Sequence, residues 1–470
     1  MAGRSILVLA SIALAVPAGA SPRSDPTLGR AVFTGATAAD PSSIGLNPAA
    51  LGEARKELYL AVAGLLDQLA IDRKVIDPAT DGLIDGEHVT DHPAGAGAQI
   101  GFVWHPGSIF KLGIELRVPP SEVFPDDPAV RYHALGSRQR NYVATAGVSA
   151  RVSSRFYLGF GVPYDVTRLR LRYARDTALD IGLAADCGGA ECGHENPQAA
   201  ELYDVDVGSE SLSGDNIRFN IGLLVQPWDD AWLGIAYHST PGTRIQSRLT
   251  GTMDVTRAPR DGGAALHGGS TVYVSYPASV DVDFRAPIYR ELDLRVGGRW
   301  EDLSRMQAYD VRGYGAAFRG QAVPEWVLRP RGLHDAFALW GGVEQTETKR
   351  TAGTFRLGGR IGIETSALVP ERTAPGTVSP TSLTLDAGLQ VRASSAVRFQ
   401  LSYGAQIFSR VSVERSDYDP RFAAQCADTG FDYSTPACEA VRNGYAIPTA
   451  AGDYTRIQHA LRLGFAYEFP

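Results

Sequence analysis

Only four of the 470 residues are cysteine and three are methionine, and beyond the first twenty positions no run of about eighteen apolar residues exists. Arg, Asp, Glu, Gly or Pro interrupts every apolar segment, which excludes a protein that crosses a membrane on helices. No long basic run is present and the formal net charge is −7, so the chain lacks the electrostatic footprint of a nucleic-acid binder. Signatures of catalysis are missing too. The nine histidines are scattered, and neither a G-x-S-x-G elbow nor an H-E-x-x-H pair occurs. His238-Ser239 is the one nucleophile-like pair, and no acid can be assigned to it from sequence. Asp204/Asp206 and Asp281/Asp283 put two carboxylates on one face of an extended segment. No Gly-centred ligand loop surrounds either pair, so solvated acids are the commoner reading and no metal is expected. An enzyme and a resident cofactor are therefore not expected.

What is present begins with a leader. Arg4 is followed by an apolar stretch from Ile6 to Val16 and by Ala18-Gly19-Ala20, which predicts a signal peptide over residues 1–20 cleaved before Ser21. Export to an oxidising compartment favours local disulfides, Cys187 with Cys192 and Cys426 with Cys438, among the three pairings that four cysteines allow. A zinc site on Cys187, Cys192 and His194 is the alternative, and it lacks a fourth ligand nearby.

Period-two alternation runs through the rest of the chain. In the last strand Leu461, Leu463, Phe465, Tyr467 and Phe469 share one face, opposite Arg462, Gly464, Ala466 and Glu468. The pattern recurs at 98–104, 110–118, 142–152, 156–162, 167–173, 217–223, 231–238, 291–300, 337–343, 355–363, 383–391 and 397–407. A soluble sandwich also alternates. The aromatics Trp104, Trp228, Trp232, Trp300 and Tyr467 near predicted strand ends fit the girdles of a membrane barrel. Connections are of two kinds: tight turns at 226–230 and 392–396, and long Gly-, Asp- and Pro-rich segments at 175–215, 244–279 and 411–454, read as external loops. Gly159, Gly161 and Pro163 weaken their strand and remove a ladder donor. That triplet predicts a kink where the wall parts, or equally a strand ending at Pro163.

Residues 35–52 read GATAADPSSIGLNPAALG, with Asn47-Pro48-Ala49 at the centre. This segment resembles the N-terminal signature of the FadL-type (OMPP1/FadL/TodX) outer-membrane transporters of long-chain fatty acids and other hydrophobic compounds. Further likenesses follow in the family's order at Tyr157–Tyr164, Trp232–Pro241, Leu294–Ser304 (LRVGGRWEDLS), Asp335–Glu344 and Pro370–Leu389. Trp300-Glu301-Asp302 departs from a more aromatic family stretch, Pro470 follows the expected terminal aromatic, and the long loops do not align.

The resemblance implies an all-β transmembrane antiparallel barrel of about fourteen strands over 56–470, with a small plug over 21–55 inside it. It implies a monomer in the bacterial outer membrane, inserted by the barrel-assembly machinery through the terminal strand with Phe465, Tyr467 and Phe469. It implies passive uptake of a hydrophobic ligand past the Asn47 segment, with lateral exit at Gly159–Pro163 into outer-membrane lipid. Ligand-contacting residues stay unassigned. A non-transporting surface barrel of adhesin type and a general diffusion porin are the alternatives.

Overall fold

The computed structural model describes residues 32–470 apart from 78, 81, 121, 178–194, 211–212, 242–245, 290, 322, 347, 351–352 and 419–447. The leader and all four cysteines lie outside the described residues. Every pairing is antiparallel and the hydrogen-bonded segments merge into one closed sheet of fourteen wall strands. The seam forms where Glu57–Ile76 meets Gly452–Glu468, in unbroken register from Glu57↔Glu468 to Arg73↔Gly452. The Phe469 amide continues it, donating to the Lys56 carbonyl at 2.9 Å.

The lipid side is what the alternation predicts. Leu461, Leu463 and Tyr467 face out, and Arg462 opposite them is 0 % exposed. Exposed apolar side chains ring the wall, among them Ile114, Leu116, Phe160, Leu339 and Ile361. Inside, polar groups are paired. Arg456 Nε donates to both Asp67 carboxylate oxygens (3.0 and 2.8 Å), Arg360 binds Asp386 (2.9 Å) and Arg398 binds Glu57 (2.5 Å). Isolated buried charges would be prohibitive, whereas paired ones line a lumen at modest cost.

Four readings need correction. Trp232 is not a girdle residue: it is 9 % exposed and packs inside on Tyr157, with ring centroids 6.2 Å apart. The strand at Gly159 does not end at Pro163, since Phe156–Asp176 runs on for thirteen more residues beyond it. The segment at 217–223 starts as a strand only at Asn220, because Ile217 makes just an isolated bridge to Tyr164.

The long segments at 175–215 and 244–279 are not all loop, as Ala200–Ser209, Ser247–Thr256 and Ala265–Val274 extend the wall outward. Their polarity is reversed. Above the bilayer the outside of the wall meets water, so Tyr203, Val205, Val207, Leu249, Val255 and Val272 turn inward and are buried.

Glu57–Ile76, Leu83–Asp91, Ala308–Tyr314 and Trp326–Pro330 are further strands that the alternation did not reveal. Glu57–Ile76 carries small inward residues, Ala61 and Ala63, between outward Leu60 and Val62, which blurs its period.

Candidate functional site

Residues 32–54 run inside the barrel as two short 3₁₀ turns, Pro41–Ser43 and Pro48–Gly52, and are almost wholly buried. Too few bulky side chains are available for an independent core, so the segment is held by the wall. Asn47 caps the second turn, its side-chain oxygen accepting from Ala49 N at 3.0 Å. Its amide donates to the carbonyls of Ala36 (2.7 Å) and Leu223 (3.1 Å), tying the segment to itself and to the wall. Asn220 donates to Gly45 O (3.1 Å), Ser149 to Ala49 O (3.1 Å) and Lys111 to Ala54 O (2.8 Å). Tyr157 closes the far end on Glu53.

A charged latch holds the near end. Asp283 accepts from Thr37 N (3.0 Å) and Thr37 Oγ1 (2.6 Å), while Arg295 binds Asp283 (2.7 Å) and Glu344 (3.0 Å). All three charged groups are nearly inaccessible. Charge-assisted bonds in a place shielded from water are the strong ones.

Two glycines of the wall exist for close approach. A Cβ on Gly159 would overlap the backbone of Pro48 and Ala49, and one on Gly222 would overlap the Asn47 side chain. Gly161 is different, because a Cβ there would meet only ordinary contacts at 3.6–3.7 Å. So Asn47, Pro48, Ala49 and Gly159 come together as a seat in the wall, a use of glycine that sequence reasoning assigned to kinking.

Two interruptions of pairing among the described residues bear on a lateral opening. Beside Val162–Thr167 the neighbouring strand is interrupted between Ser209 and Asn220, though Arg218 spans the gap, donating from its amide to Pro163 O (2.8 Å) and from Nη2 to Asp165 (2.8 Å). Ala94–Gly97 is paired on one side, Ala96 with Gly64, but towards Phe110–Val118 pairing starts only at Ala98↔Val118. Pro119 and Pro120 follow, and neither can donate. This second gap lies at the depth of lipid-facing Leu461 and borders an apolar groove of about 850 Å³ on the outer wall, lined by Leu60, Val62, Ile100, Leu116, Leu463 and Phe465.

Above the luminal segment the inward apolar cluster, including Leu169, Leu171, Tyr173, Tyr203, Met253, Tyr309 and Phe318, meets a small cavity of about 50 Å³. Three arginines line it: Arg172, Arg329 and Arg331. Arg331 donates to Tyr309 Oη (2.7 Å), and Arg329 lies 4.1 Å over the Tyr173 ring and donates to Tyr132 O (2.7 Å) and His133 O (3.3 Å). Among the described residues no carboxylate pairs with Arg329. The loop at 124–137 holds His133, whose pKa is pushed down to about 3 by burial and then by the Arg329 and Arg73 guanidinia. Nothing in the local sequence marked Arg329, because its setting comes from three distant segments.

Below the luminal segment lies a polar vestibule of about 520 Å³ lined by Glu53, Lys111, Arg151 and Gln226.

Three of the four paired acids, Asp204, Asp281 and Asp283, are otherwise engaged. Asp281 sits 3.0 Å from His238, Asp283 forms the latch and Asp204 binds Arg170. Among the described residues no group of three or more His, Cys, Asp or Glu could hold a metal ion. His238 thus gains an acid, but Ser239 Oγ is turned to the backbone, accepting from Phe219 N at 3.0 Å and donating to Thr240 O at 2.9 Å.

Residues 6–326 match the family model described as outer membrane protein transport protein (OMPP1/FadL/TodX). No curated protein matches the chain in sequence. Among solved structures, a FadL homologue of Pseudomonas aeruginosa is 17 % identical over 97 % of this chain and 99 % of that one, with a TM-score of 0.71. The toluene transporter TodX of Pseudomonas putida is 14 % identical over 96 % and 98 %, TM-score 0.62. The toluene transporter TbuX of Ralstonia pickettii is 15 % identical over 96 % and 99 %, TM-score 0.57. At these identities the likeness shows the fold.

Proposed function

The chain belongs to the OMPP1/FadL/TodX family of outer membrane transport proteins, and from that premise we propose that it is a passive, monomeric channel for hydrophobic molecules bearing an acidic head, long-chain fatty acids in particular. The observation that carries this reading is Arg329: a cation without a carboxylate partner among the described residues, facing a cavity that Leu171, Tyr173 and Tyr309 of the apolar cluster line together with Arg172, Arg331 and His133. A half-buried guanidinium held, among the described residues, by carbonyls and a ring favours an incoming carboxylate, and the apolar cluster favours a tail. The cavity is too small for a long chain, so binding displaces the side chains that fill it.

Residues 21–55 act as the plug. A general diffusion porin needs an open lumen, whereas residues 32–54 occupy this one. When the Asn47 segment shifts, the ligand leaves sideways rather than downward, because the vestibule below is polar. Unpaired backbone at membrane depth is tolerated only where it lines an opening or is buried in protein. We therefore place the exit at Ala94–Gly97, beside the outer apolar groove, and give Gly159 the role of seating the plug.

Binding of radiolabelled oleate to the purified protein in detergent tests the ligand class. Arg329→Gln is expected to weaken oleate binding by about ten-fold, the worth of one charge-assisted hydrogen bond, and to leave the methyl ester unaffected. Equal binding of acid and ester by the unaltered protein would remove the acidic head from the proposal.

A further inference from the structure

The outer faces of two neighbouring strands, Arg138–Ser153 and Phe156–Asp176, change character at one level. Below it the outward side chains are apolar: Ala144, Ala146 and Val148 on one strand, with Leu158, Phe160 and Val162 on the other. Above it, still on the outward alternation, come Arg138, Arg140, Arg168, Arg170 and Arg172. The register sets Arg138 opposite Arg170 and Arg140 opposite Arg168. Like charges directly opposite one another destabilise a sheet, so an anion is needed.

The protein supplies part of one. Asp204 receives Arg170 (Nε to Oδ1, 2.8 Å) and Arg172 (3.4 Å), and Asp126 lies 3.7 Å from Arg172. Among the described ion pairs none includes Arg138 or Arg168, and both are exposed. Asp206, the next outward acid, stands opposite Arg170 rather than Arg168. A cationic surplus is therefore fixed on the outside of the barrel, immediately above the band that meets lipid tails.

We propose that Arg138 and Arg168, with the neighbouring Arg140, form a binding site for the phosphate groups of a phosphorylated glycolipid of the outer leaflet. The geometry selects a lipid over a soluble anion. The arginines face away from the lumen and stand at the head-group level, so a molecule with its phosphate there lays its acyl chains along Val162, Phe160 and Leu158. Guanidinium forks match phosphate oxygens two at a time, and clustered basic residues at a membrane surface bind anionic head groups. The site is independent of the channel's ligand.

Native mass spectrometry of the full chain in detergent tests it, with bis-phosphorylated lipid A, its dephosphorylated form and inorganic pyrophosphate as probes. The expected result is one retained bis-phosphorylated lipid and at least ten-fold weaker retention of the dephosphorylated one, read on the unaltered protein. The triple variant Arg138→Gln, Arg140→Gln, Arg168→Gln is expected to lose that discrimination, and Arg→Lys at the same positions to recover part of it. Equal retention of the two lipids by the unaltered protein overturns the proposal. So does undiminished discrimination in a heat-modifiable, folded triple variant. Pyrophosphate bound as tightly as the lipid would show a site for free anions and overturn the lipid assignment.

Discussion

Asn47 makes three hydrogen bonds from one short side chain, one as a cap and two that join the luminal segment to itself and to the wall. Each is worth about 1 kcal/mol net, so Asn47→Ala is expected to loosen the segment by about 3 kcal/mol. Faster amide exchange over residues 36–49 without a change in barrel folding would show it. The two glycines of the next strand separate steric need from local flexibility. Gly159→Ala intrudes on Pro48 and Ala49, whereas Gly161→Ala has room. The first is expected to dislodge the segment and raise ion conductance in liposomes, and the second to behave as wild type. Equal conductance changes would return the kink to consideration.

His133 adds a pH dependence. Its pKa in the folded chain is about 3, below the ordinary value near 6.5, so opening the loop takes up a proton. The stabilising contribution is complete above pH 6.5 and is lost as pH falls towards 3. Exchange of residues 128–134, corrected for intrinsic rates, should accelerate between pH 7 and pH 4, and the acceleration should disappear in His133→Gln.

At the scale of elements, the wall is one sheet with two zones of opposite polarity end to end. Within the bilayer the greasy face is outside and the charged pairs are inside; beyond it the greasy face is inside. The alternation at 461–469 was readable because lipid demands a continuous apolar side. Ala200–Ser209 and Ser247–Thr256 escaped because their outward acids, Asp204, Asp206 and Asp254, look like loop residues unless water is expected outside. Trp232 misled for a related reason: the end of a strand draws aromatic residues to either face, and only the position of Tyr157 and Ala49 shows which.

The luminal turn was legible in Asn47-Pro48-Ala49, where an amide cap followed by Pro encodes it locally. The Asp283–Arg295–Glu344 latch was not, since three strands bring it together. Asp283→Asn breaks a buried pair, at a cost of about 3–5 kcal/mol, and should free residues 32–37 to proteolysis in the folded barrel. The proposed exit is likewise an element property. Gly97→Val with Ala96→Leu would fill the gap before Ala98 and is expected to slow release of a labelled fatty acid to the membrane while binding stays intact; unchanged release would move the exit elsewhere.

For the whole molecule, closure and obstruction occur together. Glu57–Ile76 and Gly452–Glu468 complete the wall just beyond the residue where the luminal segment ends, so the segment that fills the lumen leads directly into the seam of the barrel around it. A closed barrel satisfies its backbone in lipid, residues 32–54 fill its lumen, and on the function proposed above the apolar cluster above them receives the greasy solute. The central claim is therefore selective passage, with Arg329 choosing acids among hydrophobic molecules. It is tested most directly by the initial uptake of labelled oleate and labelled toluene in cells that carry this chain as their only channel of the family. The account predicts oleate uptake well above cells with an empty vector, cut about ten-fold by Arg329→Gln with toluene entry unchanged. Oleate uptake equal to that of the empty vector would contradict it.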